Sequence, residues 1–336
     1  MRWRGQGCKM KYSSAQIAVI VFVAAILLAP LVVRDNYQTF MFTLIGLYTI
    51  LTVGLSLVMG YAGQVSLGHA TFYGIGAYVT ALLSARWGVP PWAALIIAGL
   101  LTGVIGYLLG VPIFRLRGHY LAMATVGLNV IFILIVKNEV DLTGGPSGFK
   151  DIPPLSLAGF VFDNDVRMYY LVWVIALGVM WHSLNIVNSR VGRALRAIHT
   201  SEVAAESLGV DANAFKLKVF ALAAGYAGIA GGLYAQAIHF ISPASFDILV
   251  SIELVTMAAI GGLASIWGSI FGAGAVVLLA QFIRDRLGEW FGVTGEQEII
   301  VFGVLLVVIM VLTPEGLTTG SLRVFREWRT RMKNEQ

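Results

Sequence analysis

An all-α, polytopic membrane architecture with about ten transmembrane helices is what the sequence predicts, on three observations. Of the 336 residues, 58% are hydrophobic and 12% are charged, and the mean hydropathy is +0.81. Ordinary soluble domains carry roughly 25% charged residues, and a chain of this size has too little interior to hide so much apolar surface. Uncharged stretches near the roughly 20 residues that cross a hydrocarbon core recur from end to end. Basic residues, finally, gather in alternate connections between those stretches. This composition excludes disorder, collagen and an extended coiled coil. The lone Cys8 excludes an internal disulfide framework.

The first element is a basic tail, residues 1–14, with Arg2, Arg4, Lys9 and Lys11. The uncharged run Ala15–Val33 follows. It is longer than the roughly 7–15 residues of a signal-peptide core and lacks a small-x-small cleavage site behind it, so it is expected to stay as the first helix. The next stretches are Tyr37–Met59, Ser66–Ala85, Trp92–Phe114, His119–Val136, Met168–Val187, Leu217–Ile241 and Trp267–Ile283. The last is Ile299–Leu312, short but adequate, and a basic tail, 313–336, closes the chain. Between Ile241 and Trp267 lies a shorter apolar piece, Leu254–Ile260, which Glu253 begins and Gly261-Gly262 breaks. Adjacent glycines favour a turn or unwound backbone. Taken as a span or half-span, this piece gives about ten crossings within a membrane domain of 15–312.

Charge placement orients the domain. With both termini on the cytoplasmic side, the internal segments hold four, two, five and five basic residues, or 16 of the 23 Lys and Arg, and six of the 18 acids. The outer side keeps seven basic residues and twelve acids. That asymmetry follows the positive-inside rule. It also accounts for the net charge of +5 without nucleic acid as a partner. The outer loop 138–167 is acidic, with Glu139, Asp141, Asp151, Asp163 and Asp165. It reads either as a solvated loop or as a landing surface for a solute-binding protein.

The spans lack the buried carboxylates that mark proton-driven pumps. His69, His119, His182 and His239 stand near helix ends or glycine-rich turns. There is no G-x-x-x-x-G-K-[ST] phosphate loop, no H-E-x-x-H and no C-x-x-C. No catalytic residue, metal site or cofactor is expected. Work done uphill must therefore come from a partner.

The connection 189–216 is too long for a simple turn and too regular for disorder. Ser189 is suited to cap one short helix, and Ser201 a second over Glu202–Leu208 with Glu202 at its positive end. Gly209 supplies a left-handed stop, and Asp211 caps the helix that re-enters the membrane. Ala204 and Ala205 give the short helix a low profile that a partner's groove can approach. An ordinary amphipathic surface helix is the plainer alternative.

Glu202-x-Ala204-Ala205-x-x-x-Gly209 resembles the E-A-A loop of bacterial ABC importer permeases, and SRVGRALRAIHTSE before it is similar to the version in branched-chain amino acid permeases of the LivM type. The I-x-L-P sequence of maltose-type importers does not follow Gly209. The likeness covers most of the chain. GYAGQVSLGHATFYGIGAY at Gly60–Tyr78, VDLTGGPSG at Val140–Gly148, Ile152-Pro153-Pro154, Phe240-Ile241-Ser242-Pro243, Ala259–Gly274 and Thr313-Pro314-Glu315-Gly316-Leu317 resemble further signatures of the same family, in the same order. The resemblance implies a permease subunit of the bacterial inner membrane with no enzymatic activity of its own. It implies a second homologous permease, two ATP-binding cassette subunits below and an extracytoplasmic binding protein above, with membrane lipid around the helices. Glu202, Ala204, Ala205 and Gly209 would then be the coupling residues. Urea and amide permeases are close relatives, so a small amide or amino-acid-like solute is the alternative cargo.

An internal echo points to the path. Gly63-Gln64-Val65-Ser66 aligns with Gly262-Leu263-Ala264-Ser265, 199 positions later, and Phe72 with Phe271. Gly74-Ile75-Gly76-Ala77 aligns with Gly272-Ala273-Gly274-Ala275 after a one-residue slip. Paired glycine-interrupted segments are the best sequence pointer to a transport route. Gln64, Ser66, His69, Gly74, Gly76, Ser265, Gly272 and Gly274 are accordingly expected to line it. The competing expectation is that these glycines only let helices pack closely. Two other classes remain on the page. Gly145-Pro146-Ser147-Gly148 matches the G-x-S-G of rhomboid proteases, a chemistry that needs Ser147 beside a His. A secondary transporter would need no ATPase partner.

Overall fold

A computed structural model of the chain describes residues 26, 28–30, 35–116, 118–157, 160–162, 164–291 and 303–304. The tails 1–14 and 313–336 lie outside the described residues, as do nearly all of the expected spans Ala15–Val33 and Ile299–Leu312.

The elements in chain order are α1 (Asn36–Ser56), α2 (His69–Ala81), α3 (Pro91–Ile113), α4 (His119–Asn138), the single turn α5 (Val140–Thr143), α6 (Asp165–Asn188), α7 (Arg190–Thr200), α8 (Glu202–Ser207), α9 (Ala212–Ile238), α10 (Ile248–Gly261) and α11 (Gly268–Phe291). One π-helical turn extends α1 through Tyr61 and another extends α2 through Arg86. Among the described residues, six helical stretches are long and apolar enough to cross a membrane: Asn36–Tyr61, Pro91–Ile113, His119–Asn138, Asp165–Asn188, Ala212–Ile238 and Pro243–Gly261. The architecture is thus helical and polytopic, as composition requires.

Local chemistry sets the boundaries. Asp35 caps α1 by accepting from the Tyr37 amide at 3.2 Å, and Asn164 caps α6 through Val166 at the same distance. Pro91 opens α3, where its missing N–H costs nothing. Helix α10 starts well before Leu254, where apolarity alone begins. The Asp247 carboxylate accepts from the Ile248 amide at 2.7 Å and caps it there. Glu253, expected to mark the start, instead rides half-buried inside the helix. The outer loop is also more ordered than its composition suggests. It holds a short antiparallel pair, β1 (Ser156–Leu157) with β2 (Phe160–Val161). A bridge joins it to the far end of α9: the Phe149 amide donates to Ile241 O at 2.8 Å and the Ile241 amide to Phe149 O at 3.0 Å.

Helix α9 is the hub, packing on α3, α2 and α1. Its run ALAAGYAGIAGG keeps side chains short, so neighbouring backbones come close. A Cβ on Gly231 would strike the Tyr73 carbonyl of α2, and one on Gly76 would strike the Gly228 carbonyl of α9. Lipid offers no hydrophobic drive between helices, so such contact area is a main source of association. The outer faces are apolar instead. Ile96, Leu100, Val104 and Leu108 of α3 and Ile131 and Leu134 of α4 are exposed. Several interior hydroxyls of α1 are satisfied within their own helix. Thr43, Thr49 and Thr52 donate to the carbonyls of Thr39, Ile45 and Tyr48 at 3.0, 2.7 and 2.7 Å. This is what a medium without water demands.

Two glycine substitutions separate packing from propensity. Gly231→Val must push two backbones apart and is expected to destabilise by ~3 kcal/mol or more. Gly178→Ala on the open face of α6, where a Cβ meets nothing within 4 Å, is expected to be neutral or to stabilise by up to ~1 kcal/mol. Thermal unfolding of the detergent-solubilised protein measures both.

Candidate functional site

The surface loop between α6 and α9 is built by four local devices, each legible in the sequence. The Ser189 hydroxyl accepts from the Val191 amide at 3.1 Å and starts α7. Ser201 accepts from Ala204 at 3.3 Å and starts α8. Gly209 takes φ +83°, closed to most side chains, and ends it. Asp211 accepts from Ala214 at 3.0 Å and starts α9. The result is a rigid one-and-a-half-turn helix held away from the helix bundle.

The face it offers differs from the expected one. Ala204 is exposed, but Ala205 is 2% exposed and packs with Ile198 and Ala212 under the helix, against Val210 and Phe215. Alanine at two successive positions points in directions about 100° apart, so both cannot face out. Val203 and Leu208 project instead, 76% and 83% exposed. Large apolar groups so bare at the tip of a polar loop were not singled out by sequence. Part of the signal was available in the helical spacing, since Val203 falls on the side opposite Ala205, whereas Leu208 is bare because it stands at the C-cap, past the last helical residue Ser207. Glu202 does not point outward either: its carboxylate lies 2.7 Å from Lys216 Nζ on α9.

The two glycine-rich turns meet. Gly60 lies so close to the Leu263 and Ala264 backbone that a Cβ there could not fit. Ser56 Oγ and Ser269 Oγ lie 3.2 Å apart, joining α1 to α11. The helix after each turn begins at the same repeat offset, His69 for α2 and Gly268 for α11. The two copies thus share a helix start, although the aligned Phe72 is buried and Phe271 is exposed. Gly63 packs beside the His199 ring of α7, so the first turn also touches the surface loop.

The individual residues divide. Ser66 and His69 are buried, and Ser66 Oγ and both His69 ring nitrogens have no hydrogen-bond partner among the described residues. Neighbouring backbone is well served: Leu67 N donates to Thr125 Oγ1 and Ala70 N to Ser251 Oγ, each at 3.0 Å. Asn129 bridges Thr71 Oγ1 and Phe246 O at 3.2 and 3.1 Å. Thr125, Asn129 and Ser251 sit inside apolar runs and carry no motif, so sequence did not mark them. Gln64 is half-buried and donates to Ala62 O at 3.0 Å. Ser265 Oγ accepts from the Gly268 amide at 3.0 Å and caps α11. Gly74 faces the Phe132 and Phe246 rings, Gly76 abuts α9 and Gly272 abuts the Met257 carbonyl, all as close-packing joints. Gly274 is half-buried, with Ile45 its nearest neighbour.

Ser147 lies exposed in a 3₁₀ turn of the outer loop. The nearby His239 directs Nδ1 at Ile152 O, 2.8 Å away. Among the described residues no hydrogen bond joins Ser147 to a histidine, so the protease dyad is not assembled.

Residues 37–310 match the family described as "Branched-chain amino acid transport system / permease component". Over 298 residues the chain is 34% identical to the high-affinity branched-chain amino acid transport system permease protein LivM of Escherichia coli, covering 82% of this chain and 68% of that one. It is 27% identical to the corresponding permease BraD of Pseudomonas aeruginosa, covering 80% and 91%. It is 24% identical to LivH of Escherichia coli, covering 82% and 92%.

The left-handed stop after α8 can be tested alone. Gly209→Ala has room for its methyl group but carries the left-handed penalty of about 1–2 kcal/mol. Amide hydrogen exchange across 202–210 is expected to quicken about tenfold with the rest of the chain unchanged.

Proposed function

This chain belongs to the branched-chain amino acid transport permease family, and from that premise we propose that it is the membrane subunit of an ATP-driven importer of branched-chain amino acids. The match over 37–310 carries the proposal. The chain has about ten crossings over 15–312, both termini in the cytoplasm of a bacterial cell, and the basic segments 1–14 and 313–336 as its tails. It pairs with a second homologous permease, stands on two ATP-hydrolysing subunits and receives cargo from an extracytoplasmic binding protein near loop 138–167.

The loop 189–216 is the coupling element. Helix α8 enters a cleft of an ATPase subunit with Val203, Ala204 and Leu208 as its contact face. Glu202, Ala205 and Gly209 hold that face in place from behind. Two bare apolar side chains on a short helix capped by Ser201 and stopped at Gly209 support this. ATP-driven closure then tilts the helices at either end of the loop and switches access.

The route for the amino acid runs past the paired turns, with Gln64, Ser66, His69 and Ser265 as weak polar contacts. Gly74, Gly76, Gly272 and Gly274 are the close-packed joints beside it. Support comes from the contact between the turns and from the unpaired His69 and Ser66, which are costly unless something polar visits them.

Two variants test this. Val203→Asp with Leu208→Asp is expected to lower ATPase co-purification and leucine uptake at least tenfold, about 1.4 kcal/mol or more of lost association. Unchanged co-purification would remove α8 from the ATPase contact. His69→Leu deletes unpaired polar atoms, so melting should stay level or rise, by up to ~1 kcal/mol. Uptake in proteoliposomes should nevertheless fall several-fold, and full uptake would exclude His69 from the route.

A further inference from the structure

Lys216 occupies a doubly unfavourable position. It sits in the second turn of α9, near the positive end of the helix dipole, where a cation is repelled. It is also buried, its side chain 7% exposed. Its ion-pair partner among the described residues is Glu202, at 2.7 Å, whose own side chain is 29% exposed. Removing one partner of such a pair leaves the other charge uncompensated.

The pair joins two bodies that otherwise touch lightly. Glu202 belongs to α8, whose apolar footing is the small cluster of Ala205 with Ile198 and Ala212. Lys216 belongs to α9, the helix on which α1, α2 and α3 pack. Apolar contact resists compression, but it is non-directional and slides under shear. A hydrogen-bonded ion pair fixes direction and resists separation as well. The same two side chains line a cavity of about 270 Å³ together with Gly63, Gln64 and His119, beside the first glycine-rich turn.

We propose that Lys216 is a positioning residue whose ion pair with Glu202 makes α8 and α9 move as one body, in the pull as well as the push of each transport cycle. This rests on α8 being the ATPase contact. Loss of the pair lets α8 follow the ATPases while α9 and the cavity wall beside Gln64 lag behind. ATP is then hydrolysed with little import.

The test uses the whole assembly in proteoliposomes: this chain, its partner permease, the ATPase subunits and the binding protein, with radiolabelled leucine as probe. Import and ATP hydrolysis are read in the same vesicles, and ATPase co-purification separately. Lys216→Met is expected to keep ATPase association and to keep hydrolysis within about twofold. Leucine imported per ATP should fall about tenfold or more. The swap Glu202→Lys with Lys216→Glu should recover most of that ratio, as interacting pairs do in a double-mutant cycle, to within roughly threefold of the wild type. An unchanged ratio in Lys216→Met overturns the proposal. If Lys216→Met fails to assemble, the swap decides: assembly and coupling restored support the pair, and no recovery overturns it. Failure of the underlying contact shows elsewhere, as ATPases retained by the Val203→Asp, Leu208→Asp variant.

Discussion

Close approach of backbones along α9 is the constraint on which the rest depends. In lipid a large side chain gains little by leaving its surroundings, so helices associate through contact area and hydrogen bonds. Glycine and alanine along one helix let α2 and α3 lie almost backbone to backbone against it. The placements of α1, α2 and α3 are referred to that rod. The glycine-rich turn before α2 stands where it does because α2 is locked at Gly76 and Tyr73. The surface loop stands where it does because α9 emerges from the bundle at Asp211.

Legibility in the sequence followed the range of the interaction. The caps of α7, α8 and α9 are readable residue by residue, since each links a side chain to an amide two or three positions away, and the stop at Gly209 is readable because its left-handed backbone suits glycine. The repeat was readable because symmetry leaves a sequence trace, and its two copies begin helices at matched positions. The start of α10 was misjudged because apolarity was weighed above the cap at Asp247. The burial of Ala205 is not legible in the motif, because a short motif names residues and not the sides of the helix they occupy. The Glu202–Lys216 pair was invisible for a different reason. It crosses a helix end, a stop and a cap, so no spacing rule brings the two residues together. Thr125, Asn129 and Ser251 were hidden because polar residues inside apolar runs give no pattern until the partners are in space.

The interior polar groups fall into two kinds. Threonines and serines of α1 return their hydroxyls to their own helix or to Ser269 and are structural. Ser66 and His69 stay unpaired beside amides that are well supplied. Tyr78 and Thr80 of α2 and Thr102 of α3 also carry buried oxygens without a partner among the described residues, so unpaired groups extend beyond the turn.

Helix α9 is fastened at its two extremities by dissimilar clasps. One is a lysine–carboxylate link to the knob. The other is a strand-like pairing of Ile241 with Phe149, beside a histidine–carbonyl link from His239 to Ile152. A rod of 27 residues, about 40 Å long, spans roughly a bilayer. Gripped at both tips, it cannot rotate or slide at one without straining the other. The outer loop at Phe149 and the knob at Glu202 thus share one helix as their common anchor, each holding a different end of it.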